Sequence, residues 1–330
     1  MQTTRILSVV VLIYNKAPYL RACLDSILAQ PCVREVVCVD DGSRDASPDI
    51  LREYARTEER IRLVLHERNE GGHIALYDGL AQCSGDYLTI VDGDDMLIPG
   101  AMDAICAHAV TTGADVVEFG FRVTPEGDCT PERAARDAQA LNKPERLLVG
   151  QNFCRLCLID ELLTDAYVGK LFSRALYRRV HAAMERLPMG DMYPRTWYAV
   201  WLFCFFARRW STVGIKGYHY FPGRGMTHHA REGLAALRGN LGAQAACDSL
   251  RRTALEHRVL PEHEEELQLF LARCRAQSII TWVERLPLED TAAGWELLTG
   301  TWGTDDVLHV LMQKYDGDNE LLRQRLNMLA

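Results

Sequence analysis

The sequence predicts an α/β chain: a doubly wound, mainly parallel sheet flanked by helices, with a helical extension toward the C-terminal end. Three observations carry this. Over about the first 120 residues, short apolar runs alternate with segments of helical periodicity. The first of those runs is β-branched and nearly continuous, as in a strand covered on both faces. Beyond about residue 231 the apolar spacing is helical.

In chain order, Ile6–Ile13 reads as the first strand. Pro18 then stands near a first helical turn, with Leu20, Leu24, Ile27 and Leu28 at helical spacing. Glu35–Val39 is a second strand, and Ser47-Pro48 is an N-cap pair opening a helix through Ile50, Leu51 and Tyr54. Ile61–Leu65 is a third strand, Ile74–Cys83 a helix stopped by Ser84-Gly85, and Tyr87–Val91 a fourth strand. Met96–Val110 is read as helical, and Asp115–Phe119 as a fifth strand. Residues 121–150, with Pro125, Gly127, Pro131 and Pro144, read as a loop or linker with some helix. Residues 151–230 mix helices with a Gly/Pro-rich stretch from Gly214 to Gly225. In the tail, Leu267, Phe270, Leu271 and Cys274 recur on one helix face. The expected division is one domain over 1–230, in halves 1–120 and 121–230, followed by a helical region over 231–330. That region is suited to packing on the domain, to forming a homo-oligomer or to touching a partner, and its sequence leaves the three open.

Composition narrows the function. Of 330 residues, 48% are hydrophobic and 25% charged, the balance of a globular protein rather than a disordered one. A net charge of −8 excludes wrapping nucleic acid, which needs a cationic footprint. The 11 cysteines are odd in number and sit mostly in apolar runs, so they point to a reducing cytoplasm rather than a disulfide scaffold. Cys154 and Cys157 form a lone C-x-x-C beside Phe153, Leu156 and Leu158, read as a buried helix face. Met1–Arg5 is polar and Ile6–Ile13 is short for a signal-peptide core. No run reaches the roughly 18–20 apolar residues of a membrane span. The expectation is a cytoplasmic protein without a transmembrane segment, with peripheral contact at the inner face of the plasma membrane left open.

In doubly wound sheets ligands bind beyond the carboxyl ends of the strands. Those ends carry Tyr14-Asn15, Asp40-Asp41-Gly42-Ser43, Asn69-Glu70-Gly71-Gly72 and Asp92-Gly93-Asp94-Asp95. Each alone is an ordinary turn. Side by side they form a rim of five aspartates and Glu70. Such a rim repels a diphosphate unless a divalent cation bridges the two, and Mg2+ and Mn2+ favour carboxylate and phosphate oxygens together. No G-x-G-x-x-G follows the first strand, which removes a Rossmann dehydrogenase.

Residues 8–103 resemble the inverting glycosyltransferases of family 2, of the fold type called GT-A. The matching text is Ser8-Val-Val-Val-Leu-Ile-Tyr-Asn15, Val39-Asp-Asp-Gly-Ser-Arg-Asp45, Asn69 to Gly79, and Gly85-Asp-Tyr-Leu-Thr-Ile-Val-Asp-Gly-Asp-Asp95. The resemblance implies transfer of a sugar from a nucleotide-sugar, a UDP-sugar above all, to a glycan or lipid-linked glycan acceptor in making a bacterial surface glycan. It implies that Tyr14 lies against the base and that Asp41, with Asp40 beside it, accepts a hydrogen bond from uracil. Asn15, Asn69, Gly72 and Gly93 complete the nucleotide-sugar set. Asp92 and Asp94 match the D-x-D that holds ribose and a divalent metal, Mn2+ or Mg2+, with His219 or His228 as further candidate ligands. Residues 1–120 would then be the nucleotide-sugar half and 121–230 the acceptor half.

Leu187-Pro188-Met189-Gly190-Asp191 resembles the segment that carries the family's catalytic base, so Asp191 is the candidate base. A carboxylate there would remove the acceptor proton during attack, and Asp165 is the next carboxylate to consider. Two departures stand out: Leu76 where the family often has Arg, and Gly190 where it has Glu. Gly169-Lys170-Leu171-Phe172-Ser173-Arg174 resembles a lysine-leucine-aromatic motif and reads equally as a helix start with a solvated lysine. Arg224, in a Gly-rich loop, is a candidate to close over phosphates. Phe206 breaks the motif of processive members ahead of Arg208-Arg209-Trp210, which favours single additions. A metal-dependent nucleotidyltransferase and a non-catalytic scaffold keeping the fold are the alternatives.

Overall fold

The computed structural model describes residues 5–186, 195–224, 233–258, 263–315 and 319–329. It contains two compact units, Met1–Pro188 with Ala199–His228, and Met189–Tyr198 with His229–Ala330.

The first unit is built on a nine-stranded sheet. Its elements run β1 (Leu7–Ile13), α1 (Ala17–Leu28), β2 (Val33–Asp40), α2 (Ser47–Thr57), β3 (Ile61–Leu65), α3 (Gly72–Gln82), β4 (Tyr87–Asp92) and β5 (Met96–Leu97). They continue with α4 (Ala101–Thr112), β6 (Val116–Val123), α5 (Pro131–Leu141), β7 (Arg146–Val149), α6 (Phe153–Leu158), β8 (Lys170–Ser173), α7 (Arg174–Ala183), α8 (Arg195–Phe206, counted in this unit from Ala199) and β9 (Arg209–Tyr220). The strand order is β3-β2-β1-β4-β8-β6-β9-β5, and β7 pairs with β9. β1, β2, β3 and β4 pair in parallel, as do β6 and β9, while β8 lies antiparallel between β4 and β6. The continuous apolar text of β1 is buried on both faces, with Leu7, Val9, Val10 and Val11 fully covered. α3 packs directly on β1 and β2. A Cβ on its Gly79 would stand 2.8 Å from Val10 Cγ1 and 3.1 Å from Val39 Cγ2, so this helix comes close only through glycine.

Four expectations need correction. Met96–Leu97 is not the start of a helix but a short strand, pairing with His219 and Tyr218 of β9. Pro99 disfavours helix in the residue before it, and the helix begins at Ala101. Much of the stretch from Gly214 to Gly225 is strand, because β9 spans Arg209–Tyr220 and accommodates its glycines where its register against β6 shifts around Gly120. The stretch over 121–150, read as a loop or linker with some helix, holds that helix as α5 and also the edge strand β7. Lys170 opens a strand rather than a helix, and α7 follows from Arg174.

All 11 cysteines are free and buried, Cys154 and Cys157 on α6 among them, with Cys157 Sγ 3.6 Å from Cys204 Sγ. No described helix is long and apolar enough to cross a membrane.

The second unit holds α9 (Gly233–Leu241), α10 (Ala243–Glu256), α11 (Glu264–Ile280), α12 (Thr291–Trp302), α13 (Thr304–Lys314) and α14 (Glu320–Leu329). Leu237, Leu267, Trp282, Leu298 and Val307 are buried in it. Arg325 of α14 is also buried, donating to Val283 O at 2.9 Å, to Thr291 Oγ1 at 2.9 Å and to Leu286 O. A buried guanidinium so satisfied ties α14 to the turn between α11 and α12.

Candidate active site

Register decides which residues meet. On the sheet Ile13 pairs with Asp40 and Leu12 with Asp92. The chain therefore leaves β2, β1 and β4 at one level, and the motifs that follow them share one edge.

The loops after β1 and β2 are locked together. Asn15, at φ 54, donates its N–H to Ser43 Oγ at 2.8 Å, and its Oδ1 accepts from Arg44 N at 2.8 Å. Lys16 N donates to Ser47 Oγ at 2.9 Å and Ala17 N to Asp45 Oδ2 at 2.9 Å. Tyr14, between these anchors and β1, is half-buried. Asp40 and Asp41 are both buried. Asp40 Oδ2 accepts Ser43 N at 3.1 Å, while its Oδ1 has no hydrogen-bond partner among the described residues. Asp41 reaches across to the loop before α3: Oδ1 accepts Glu70 N at 2.8 Å and lies 2.9 Å from His66 Nδ1, and Oδ2 accepts Gly71 N at 2.8 Å. Asp41 thus fixes where α3 begins. Gly42 makes the crossing possible: at φ 68, with Arg68 C 2.3 Å from where a Cβ would stand, only glycine fits. At Gly72, the first residue of α3, a Cβ would meet nothing within 4 Å among the described residues. Asn69 is exposed beside it.

The loop after β4 gathers the acids. Asp92 Oδ1 accepts the Tyr167 hydroxyl at 2.8 Å, and Gly93 N donates to Leu12 O at 2.9 Å. Asp94 Oδ2 is 2.5 Å from Lys16 Nζ, with both side chains largely buried. Asp95 faces inward, where Oδ2 accepts the Tyr218 hydroxyl at 2.9 Å and Oδ1 the Phe221 N–H at 3.0 Å. Arg224 bridges over this turn, donating to Asp94 O at 3.1 Å and gripping Glu126 at 2.6 and 2.5 Å. Burial and the neighbouring Asp94 charge push the Asp92 carboxyl up to about 6. Burial, Asp94 and Asp92 push Asp95 well above the carboxylate range. Burial and Asp92 raise the Tyr167 hydroxyl, so it remains a proton donor.

Among the described residues no three acidic, histidine or cysteine side chains are gathered to hold a metal ion alone. Asp92 and Asp94 nevertheless suit a hard divalent cation. Their oxygens crowd one turn with Lys16 as counter-charge, and Mg2+-type ions are held by one or two carboxylates plus ligand phosphates.

The model of the family described as "Glycosyl transferase family 2" matches residues 8–180, just over half of the chain. The chain belongs to glycosyl transferase family 2. Among similar proteins, glycosyltransferase GlyG of Streptococcus pneumoniae is 34% identical over 148 residues, 41% of this chain and 49% of that protein. Glycosyltransferase YibD of Escherichia coli is 31% identical over 156 residues, 46% of this chain and 45% of that protein. The chain thus matches less than half the length of these relatives. The fold resembles that of S. aureus TarS 1–349 solved in complex with UDP-GlcNAc (TM-score 0.57, 18% identity, 93% of this chain and 91% of that one). It also resembles mannosyltransferase PcManGT of Pyrobaculum calidifontis in complex with GDP-Man and Mn2+ (TM-score 0.50, 18% identity, 96% and 88%). The fold is GT-A.

In this family 2 chain the residues singled out from sequence divide into three groups. Tyr14, Asn15, Asp40, Asp41, Asp92, Gly93 and Asp94 share the sheet edge, and Asn69 and Gly72 sit where Asp41 anchors the α3 loop. His219 lies on β9, its Nε2 2.8 Å from Thr124 Oγ1, and burial with Arg122 and Arg224 nearby lowers its pKa. Asp191, Gly190 and His228 lie outside the described residues, and Asp165 is exposed. Leu76, in place of the family's arginine, is buried in α3. Sequence reasoning passed over Lys16 and Tyr167. Lys16 directly follows Tyr14-Asn15, which was a usable signal. Tyr167 meets Asp92 across 75 positions with no local sign.

Proposed function

We propose that this family 2 chain is an inverting glycosyltransferase that moves a sugar from a nucleotide-sugar, with UDP as the favoured nucleotide, onto an acceptor hydroxyl by single displacement. One observation carries the reading: Asp92 and Asp94 crowd one turn at the end of β4, level with Asp40 at the end of β2. The family membership and the likeness to folds solved with UDP-GlcNAc and with GDP-Man and Mn2+ support it.

In this reading Asp92 and Asp94 would hold the divalent ion, Mn2+ or Mg2+, which when bound would supply positive charge against the departing diphosphate. Tyr14 covers the base, and Asp40 and Asp41 shape its pocket, Asp41 by pinning the loop that ends at Gly72. The start of α3, where no described residue stands within 4 Å of a Cβ at Gly72, presents backbone N–H groups, and a helix start favours anions. Asp191 takes the proton of the acceptor hydroxyl as it attacks the anomeric carbon from the face opposite the diphosphate, which inverts that centre. The acceptor would be a glycan or lipid-linked glycan on the cytoplasmic side of a bacterial membrane, in surface-polysaccharide or lipopolysaccharide synthesis.

Thermal shift with UDP, GDP, UTP and NAD, each with and without Mn2+, tests the class, since a ligand that binds only the folded state raises its stability. Mn2+-dependent stabilisation by UDP is expected, and Asp94→Ala should abolish it. Asp191→Asn should retain that stabilisation while sugar transfer falls by about 10²–10⁴-fold. Full turnover by Asp191→Asn would remove it as the base. A response to UTP alone would favour a nucleotidyltransferase, and no response to any of them a scaffold.

A further inference from the structure

Two ionisable side chains lie deep in the sheet of the first unit without touching the acid rim. Lys170 of β8 is 1% exposed and Glu118 of β6 is 2% exposed. A buried ion pair is costly, and apolar residues of similar volume commonly stabilise as well. What these two side chains do is therefore better read from their hydrogen bonds than from their charge.

Those bonds converge on one short segment. The ammonium of Lys170 has three donors, and all three have acceptors there: Thr164 O at 3.0 Å, Thr164 Oγ1 at 2.5 Å and Ala166 O at 2.5 Å. Glu118 Oε1 accepts the Thr164 N–H at 3.0 Å. Its Oε2 accepts Trp210 Nε1 at 3.2 Å and lies 4.0 Å from Lys170 Nζ. The residue after this clamped segment is Tyr167, whose hydroxyl donates to Asp92 Oδ1 at 2.8 Å. Lys170 is also tied to the strand that ends in Asp92, since Thr89 Oγ1 of β4 donates to Lys170 O at 2.8 Å. The strand and the hydroxyl that hold Asp92 are thus referred to the same lysine.

We propose that Tyr167 is a positioning residue that sets the orientation of the Asp92 carboxylate for its ligand, and that Lys170, through the 164–167 segment, positions Tyr167. The inference rests on the nucleotide-sugar reading above. With Oδ1 held by the Tyr167 hydroxyl at 2.8 Å, the carboxylate presents its second oxygen in one orientation, and ligation need not order it. Groups that orient a metal's ligands act in this way, and their loss commonly weakens metal binding by about 10–100-fold. The lysine-leucine-aromatic motif gains a physical role from this, because its buried ammonium organises the acid site without entering it.

The test is a Mn2+ titration followed by thermal shift, at a saturating concentration of UDP or GDP, whichever stabilises the wild type. Tyr167→Phe removes one hydroxyl and should raise the Mn2+ concentration for half-maximal stabilisation by about tenfold or more. Lys170→Met should raise it comparably, and Tyr167→Phe/Lys170→Met no further than the worse single variant, because both act on one carboxylate. If Lys170→Met does not fold, Thr164→Val, which removes one acceptor of the ammonium, takes its place. An unchanged Mn2+ requirement in Tyr167→Phe overturns the proposal. So do independent, multiplying effects in the double variant, or a Lys170→Met that melts lower with the wild-type Mn2+ requirement. A wild type that shows no Mn2+-dependent nucleotide response overturns the parent reading first, and this one with it.

Discussion

Asp92 is under two opposing influences: burial beside Asp94 disfavours its charge, while the Tyr167 hydroxyl favours it. The first prevails, lifting its carboxyl from 3.8 to about 6. A pKa raised on folding means that the native chain binds the proton more tightly than the unfolded one. The contribution to stability is then full below about 3.8 and lost as pH rises through about 6. Without nucleotide or metal, Asp92→Asn should melt with a flatter pH dependence than the wild type between pH 4 and 7 in thermal scans. Parallel curves would show that Asp92 does not titrate in that window. Asp95 moves in the same direction and keeps part of the slope in the variant. The D-G-D-D text marked these acids as a group, but their separate parts come from distant donors. Asp95 is satisfied by Tyr218 and Phe221, more than 120 positions away.

α3 links the core to the ligand edge. Its middle rests on β1 and β2 through Gly79, and its first turn is set by Asp41. Gly79→Val would drive a branched side chain into Val10 and Val39. Overpacking of this kind costs typically about 1–3 kcal/mol, read as a lower urea midpoint with an unchanged slope. A midpoint equal to the wild type would mean that the helix has room to shift. β1 to β4 were legible because each is a short, mainly apolar run bounded by turn residues. β5 was not, because two residues carry no period, and β9 was not, because its glycines imitate a loop. Glycine in a strand marks a bulge or a close approach as readily as a turn, and only the pairing with β6 chooses between them.

At the scale of the molecule, the cysteines report on packing. All 11 are buried, and burial lifts the Cys38, Cys83 and Cys274 thiols to about 12. The thiolate is the reactive form. A chromogenic disulfide reagent should therefore react slowly with the native chain and promptly with 11 thiols in denaturant, and several fast equivalents under native conditions would contradict that burial. In the second unit the apolar spacing announced helices, but not that Arg325 would enter the core and bind the α11–α12 turn. A charged residue in a helical text is ordinarily assigned to the surface.

The sequence by itself determined the α/β class, the family and the set of strand-end acids, because strand runs and the motifs that follow them are written in contiguous residues. Tertiary structure alone decided what each acid does. Asp41 gives its oxygens to the α3 loop, Asp95 to the end of β9, and Asp92 receives Tyr167, while Asp94 meets Lys16. The reason is physical: a carboxylate's role follows from which donors reach it, and here they arrive from strands and loops 25 to 126 positions away.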